Sequence, residues 1–246
     1  MKKLVLLVIP IVLMSACNNS QNSISSTDQS ATSNSKVKKT EKNTSKTLTG
    51  DFIVGKDSEI LPGVYDLTAI DDGFGTVSVK TENGEKMPFR RYMASPKGQD
   101  KVTKIYPDDG KPDIYSETVQ GVLLHEGDEV HIRKVSIKFT KSTSSDTTKV
   151  LTGDFIIKEN GDLAPGIYNL KAVDDGFGTV SVRTSNGDKI PFRQYMASTK
   201  GKERVTKVYP DDGKPDIYSE TAQGVTLHEG DEVHVRDVSV EFTTAD

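Results

Sequence analysis

The chain of 246 residues carries 32 Lys and Arg against 36 Asp and Glu, a formal net charge of −4, with 34% hydrophobic residues, one Cys and no Trp. Such a mildly acidic chain lacks the concentrated positive charge that a phosphate backbone requires, which argues against nucleic acid as a partner. A single cysteine rules out an intrachain disulfide, so the fold must hold together by packing alone.

Met1, Lys2 and Lys3 precede an apolar run from Leu4 to Met14, and Ser15, Ala16 and Cys17 follow it. Basic residues, a short apolar run and small residues before a break form the three-part plan of a secretion signal. The eleven residues of the run rise only about 16 Å as a helix, about half a bilayer core, so a membrane-spanning helix is not expected. The stretch Leu13-Met14-Ser15-Ala16-Cys17 resembles the lipobox of bacterial lipoproteins, with Met14 where that family most often has Leu. The resemblance implies that residues 1–16 are a signal peptide and that diacylglycerol is attached to the Cys17 sulfur. The cell membrane, met from its extracellular side, is then a partner. Two acyl chains, each worth about 0.8 kcal/mol per buried CH₂, make a durable anchor. Loss of Lys2 and Lys3 takes the formal charge from −4 to −6.

From Asn18 to Lys46 the chain is Ser, Asn, Thr, Gln and Lys with almost nothing apolar. Such a composition cannot bury enough surface to offset its ordering entropy, so residues 17–46 read as the lipidated cysteine and a disordered tether. Its r.m.s. reach is about 30 Å and its extended reach about 100 Å.

Residues 47–140 then align without a gap on residues 150–243, a period of 103 residues, with about two-thirds of positions identical. Residues 141–149 between them are a Ser/Thr-rich linker, so the expected plan is two beads on a string, module 1 over 47–140 and module 2 over 150–246. The apolar pattern has period two: Val77 and Val79, Met87 and Phe89, Val130 and Ile132, then Val135, Ile137 and Phe139. Eight or nine short strands per module and no sustained helical periodicity predict an all-β fold, a sandwich or jelly-roll-like barrel. For the Asn83-Gly84 hairpin, a three-residue loop over 82–84 pairs Val79 with Met87 and Val77 with Phe89, and places Gly84 at the left-handed bulge position.

Within each repeat, Val54-Gly55-Lys56-Asp57, Leu61-Pro62-Gly63-Val64-Tyr65 and Leu124-His125-Glu126-Gly127-Asp128-Glu129-Val130 resemble the "VGxDI(x)PGxY … LxxGDxV" repeat of uncharacterised surface lipoproteins of Gram-positive bacteria. The first copy has extra residues between Asp57 and Pro62, and the second reads Ile157-Lys158-Glu159-Asn160 in place of the Val-Gly start. The resemblance implies no activity.

Three groups of side chains are chemical candidates. His125, Glu129 and His131, with His228, Glu232 and His234 in the copy, are expected on one outward face of a hairpin, which reads first as a solvated surface and second as a weak metal site; six-residue histidine spacing across a Gly-Asp turn is not the helical zinc pattern. Asp108, Asp109 and Asp113, repeated as Asp211, Asp212 and Asp216, cluster around a Gly turn and offer oxygens to calcium, although the alternating EF-hand order is absent and Asp-Asp-Gly-x-Pro is equally the composition of a plain turn. Tyr92 and Tyr115 with Arg90, and Tyr195 and Tyr218 with Arg193, supply apolar faces with polar tips beside those loops and form the expected binding surface, with Tyr106 and Arg91 as neighbours. There is no G-x-S-x-G elbow, no Gly-rich phosphate loop and no cofactor motif. The expectation is a non-enzymatic module, used twice for avidity, whose partners are cell-wall polymer or a surface protein. A structural spacer is the rival, and an enzyme acting on wall polymer comes third.

Overall fold

The computed structural model describes residues 45–107, 111–142, 148–211 and 214–245. Cys17, nearly all of the tether, and Asp108, Asp109 and Asp212 lie outside these residues.

Among the described residues each repeat has six strands, fewer than the predicted eight or nine: β1 Ser45–Ile53, β2 Gly63–Ala69, β3 Phe74–Lys80, β4 Phe89–Ala94, β5 Thr118–Leu124 and β6 Glu129–Lys141. The second copy contains β7 Thr148–Ile156, β8 Gly166–Ala172, β9 Phe177–Arg183, β10 Phe192–Ala197, β11 Thr221–Leu227 and β12 Glu232–Thr244. Ser45 and Lys46, expected in the tether, belong to β1, and Lys141, Thr148 and Lys149, expected in the linker, are strand residues.

The sandwich is built around a bend. Glu129–Arg133 of β6 pairs with β3, whereas Ile137–Lys141 pairs with β2. Strand β1 follows β6 across both halves, with its own register shift between Leu48 and Gly50. Between the halves Lys134 takes a left-handed backbone with φ 60°, as Asp237 does with φ 57°. One strand thus serves two sheet halves by turning a corner, as orthogonally packed sheets do. Inward alternation closes the core over Leu67, Val77, Val79, Val130, Ile137 and Phe139 in the first repeat. Gly75 sits under the bend, where a Cβ would meet the Arg133 carbonyl oxygen at 1.7 Å.

Two features depart from the sequence pattern. A helix, α1 Pro96–Ile105, follows β4, and α2 Thr199–Val208 follows β10. The Ser95 hydroxyl accepts from the Gly98 amide at 3.3 Å, and Pro96 stands in the first turn, where its missing N–H costs nothing. Only Gly98 and Val102 of α1 are buried, too few to produce a helical hydrophobic period. The second departure is the hairpin: Val79 faces Phe89 and Val77 faces Arg91, two residues away from the expected pairs. Pro88 cannot donate to a ladder. The loop instead closes through the Thr81 amide to the Lys86 carbonyl at 3.0 Å. Gly84 does take the left-handed conformation, with φ 68°.

The repeats are not separate beads. Residues 42–246 form one compact unit, and a parallel bridge between Val122 of β5 and Thr152 of β7 joins the two copies. Leu123 belongs to the hydrophobic core of the second repeat, with Val64 packed against it. Gly121 permits the approach: with φ 68° it needs the freedom of glycine, and a Cβ there would stand 2.1 Å from the Val150 carbonyl oxygen. Among the described residues no helix is long and apolar enough to cross a membrane.

Candidate ligand-binding surface

Strand β4 alternates Phe89, Arg91 and Met93 inward with Arg90 and Tyr92 outward. Arg91, expected beside Arg90 on the surface, is therefore buried. The chain returns past β4 after a 3₁₀ turn, Lys111–Ile114, and the Ser116 amide donates to the Tyr92 carbonyl at 3.0 Å while the Ala94 amide donates to the Ser116 carbonyl at 3.1 Å. This parallel bridge lays Tyr115 beside Tyr92 with ring centroids 5.8 Å apart at 75°. Phe74, at the start of β3, meets the other edge of Tyr115 at 5.8 Å and 84°. Edge-to-face contacts of this kind fix aromatic rings in place. The Arg90 guanidinium lies 5.6 Å from the Tyr92 centroid, a cation–π distance.

The second repeat rebuilds the same cluster. Ser219 bonds Tyr195 and Ala197 at 3.0 and 3.1 Å. Tyr195 and Tyr218 are 5.7 Å apart, Phe177 and Tyr218 5.8 Å, and Arg193 lies 6.0 Å from the Tyr195 centroid. The structure thus brings together Arg90, Tyr92 and Tyr115, and likewise Arg193, Tyr195 and Tyr218. Phe74 and Phe177 complete the clusters and escaped the sequence reading, because each opens a strand with no alternation before it. Tyr92 and Tyr195 keep 40% and 41% of their surface in solvent, so the contact between the repeats covers neither.

Of the acidic candidates, Asp113 lies in the 3₁₀ turn with its carboxylate 3.9 Å from Lys207. Asp216 occupies the equivalent turn and Asp211 is exposed at its edge. The histidines divide among different carboxylates. His131 Nδ1 is 3.2 Å from Asp51, with Glu129 3.5 Å from its other nitrogen, and His234 repeats this with Asp154 at 2.9 Å and Glu232 at 3.6 Å. His125 lies 3.5 Å from Asp128 and 3.7 Å from Asp162 of the second repeat, whereas His228 has Asp231 at 3.4 Å. Among the described residues no three His, Cys, Asp or Glu gather in a metal-binding arrangement. The Asp128 carboxylate first, then Asp162, pushes His125 up to about 9. His125 opens instead onto a groove of about 440 Å³ between the repeats, together with Pro88, Phe155, Asp162 and His234.

A buried polar joint lies beside these surfaces. Asp174 accepts from the Gly176 and Ser239 amides at 3.1 and 2.9 Å and from the Ser239 hydroxyl at 2.9 Å, and Arg91 of the other repeat reaches it at 3.5 Å. Arg204 of α2 donates to the carbonyls of Asp113 and Asp175 at 2.9 and 2.8 Å and to the Ser116 hydroxyl at 3.0 Å. Burial lowers its pKa despite the opposing pull of Asp175. Compared with protein-family models, curated proteins and solved structures, the chain matches none.

Proposed function

We propose that the chain is a lipid-anchored, extracellular, non-enzymatic binding protein that engages an anionic cell-surface polymer through two equivalent aromatic and basic faces. The observation that carries this reading is the duplicated cluster, with Tyr92 and Tyr195 at 40% and 41% exposure despite the joint between the repeats. Rings held edge to face present an apolar surface of fixed shape, and Arg90 and Arg193 at its rim favour a ligand with a ring or apolar face and negative charge. Two such faces on one compact unit gain effective concentration on a repeating polymer without any new contact. The lipobox resemblance at Cys17 supports the anchor, and the polar stretch behind it supplies the reach.

The buried Arg91–Asp174 joint favours a second reading, in which the joined pair is a spacer that lifts another component from the membrane. Co-sedimentation of residues 42–246 with peptidoglycan that carries teichoic acid, with peptidoglycan stripped of it, and with bead-coupled matrix protein separates the two. Retention on the teichoic acid sample alone supports the binder as stated. Absence from all three pellets favours the spacer.

A further inference from the structure

The joint between the repeats is heterologous: β4, β5 and the 3₁₀ turn of the first copy meet the β8–β9 loop, α2, β7 and β12 of the second. Because the two copies share one fold, each also carries the half of the joint that its neighbour uses. The second copy carries a β10–β11 face equivalent to the one buried in the first, and the first carries an Asp71, Ser136 and α1 face equivalent to the one buried in the second. A heterologous contact between like units adds further units head to tail unless something stops it.

The positions at which the copies differ supply the stop. Arg91, which reaches Asp174 in the joint, is replaced on the outer face by Gln194. Leu123, part of the second repeat's core, is replaced by the exposed Thr226. Arg204, which spans three acceptors in the joint, is replaced by Lys101, whose ammonium pairs with its own Asp72. A lysine is a point charge and cannot reproduce the planar guanidinium fork. Other contact positions of the outer faces are kept. Gln223, Gly224 and Ser219 stand where Gln120, Gly121 and Ser116 contact the partner repeat, and nothing lies within 4 Å of a Cβ built on Gly224. Ile167, the counterpart of Val64, is 50% exposed. Asp71 already holds the Ser136 hydroxyl at 2.5 Å, as Asp174 holds Ser239.

We infer that the outer faces of the pair are the two open halves of its inner joint, and that Lys101, Gln194 and Thr226 keep a second copy of the chain from docking there head to tail. The chain is a two-unit assembly that terminates itself.

The test is sedimentation velocity on residues 42–246 over a hundredfold range of concentration. The wild type should sediment as a monomer throughout. The triple variant Lys101→Arg, Gln194→Arg and Thr226→Leu should shift to concentration-dependent oligomers, associating at least tenfold more tightly than variants altered on one face only. Adding Asp71→Asn, which removes the docking carboxylate and keeps its shape, should return it to the monomer. A folded triple variant that stays monomeric overturns the inference, as does a wild type that already assembles. Should the triple variant fail to fold, the inverse change decides. Arg91→Gln, Leu123→Thr and Arg204→Lys together should open the inner joint and remove hydrogen-exchange protection at the Gln120 amide, and undiminished protection there would overturn the inference.

Discussion

Arg91 of the first repeat and Asp174 of the second face each other across 3.5 Å with 7% and 1% of their side chains in solvent. A charge pair so enclosed is costly to form, and removing one partner costs more than the pair contributes, because the other charge is stranded. Arg91→Gln, which copies Gln194, should therefore destabilise the described unit by about 1–3 kcal/mol in urea unfolding, softened by the hydrogen bonds Asp174 keeps from Gly176 and Ser239. Gln194→Arg, on the outer face, should change the midpoint little.

Two glycines isolate the packing part of the joint. Gly121 and Gly224 have nearly the same backbone, φ 68° and 65°, so alanine pays the same strain at each. Only at position 121 does the new Cβ collide with Val150. Gly121→Ala should thus cost about 1–3 kcal/mol more than Gly224→Ala. Equal losses would mean that the repeats do not press together at β5.

Sheet class and repeat were legible because period-two alternation and a gapless duplication are local signals. Carried through β4, the same alternation sends Arg90 and Tyr92 outward but Arg91 inward, whereas the expected surface held all three together. The hairpin slipped by two residues because a shift of two preserves parity, so an apolar face cannot tell Met87 from Phe89 as the partner of Val79. The parity change at Arg133-Lys134, between Ile132 and Val135, marked the corner in β6 without revealing that one strand serves two sheet halves. The joint stayed hidden because its determinants, Arg91 and Leu123, look like ordinary strand residues until their partners in the other repeat are known.

His125 couples pH to the contact between the repeats. Its folded pKa, raised to about 9 by Asp128 first and then Asp162, lies above the unfolded value of 6.5. Its contribution is therefore complete below pH 6.5 and disappears as pH rises through about 9. A histidine titration by NMR should show a resonance with a midpoint near 9 that disappears in His125→Gln. Asp162→Asn should lower that midpoint. An unchanged value would place the second repeat away from His125.

The lipobox resemblance implies attachment at Cys17, and the proposed anchor rests on it. Cys17→Ala should leave the precursor uncleaved after Ala16 and without lipid, with release from the membrane fraction. Mass spectrometry of the mature wild type should find diacylglycerol on the Cys17 sulfur. An unmodified thiol there would end the lipoprotein reading.

The most direct measurement of the binding account compares one altered face with two on peptidoglycan carrying teichoic acid. Tyr92→Ala or Tyr195→Ala alone should weaken retention of residues 42–246 by at least tenfold, because avidity is lost. The two together should abolish it, while the unfolding midpoint moves little, since each ring is partly in solvent. A double variant that remains folded and is retained like the wild type would contradict the account and move the binding surface away from the aromatic clusters.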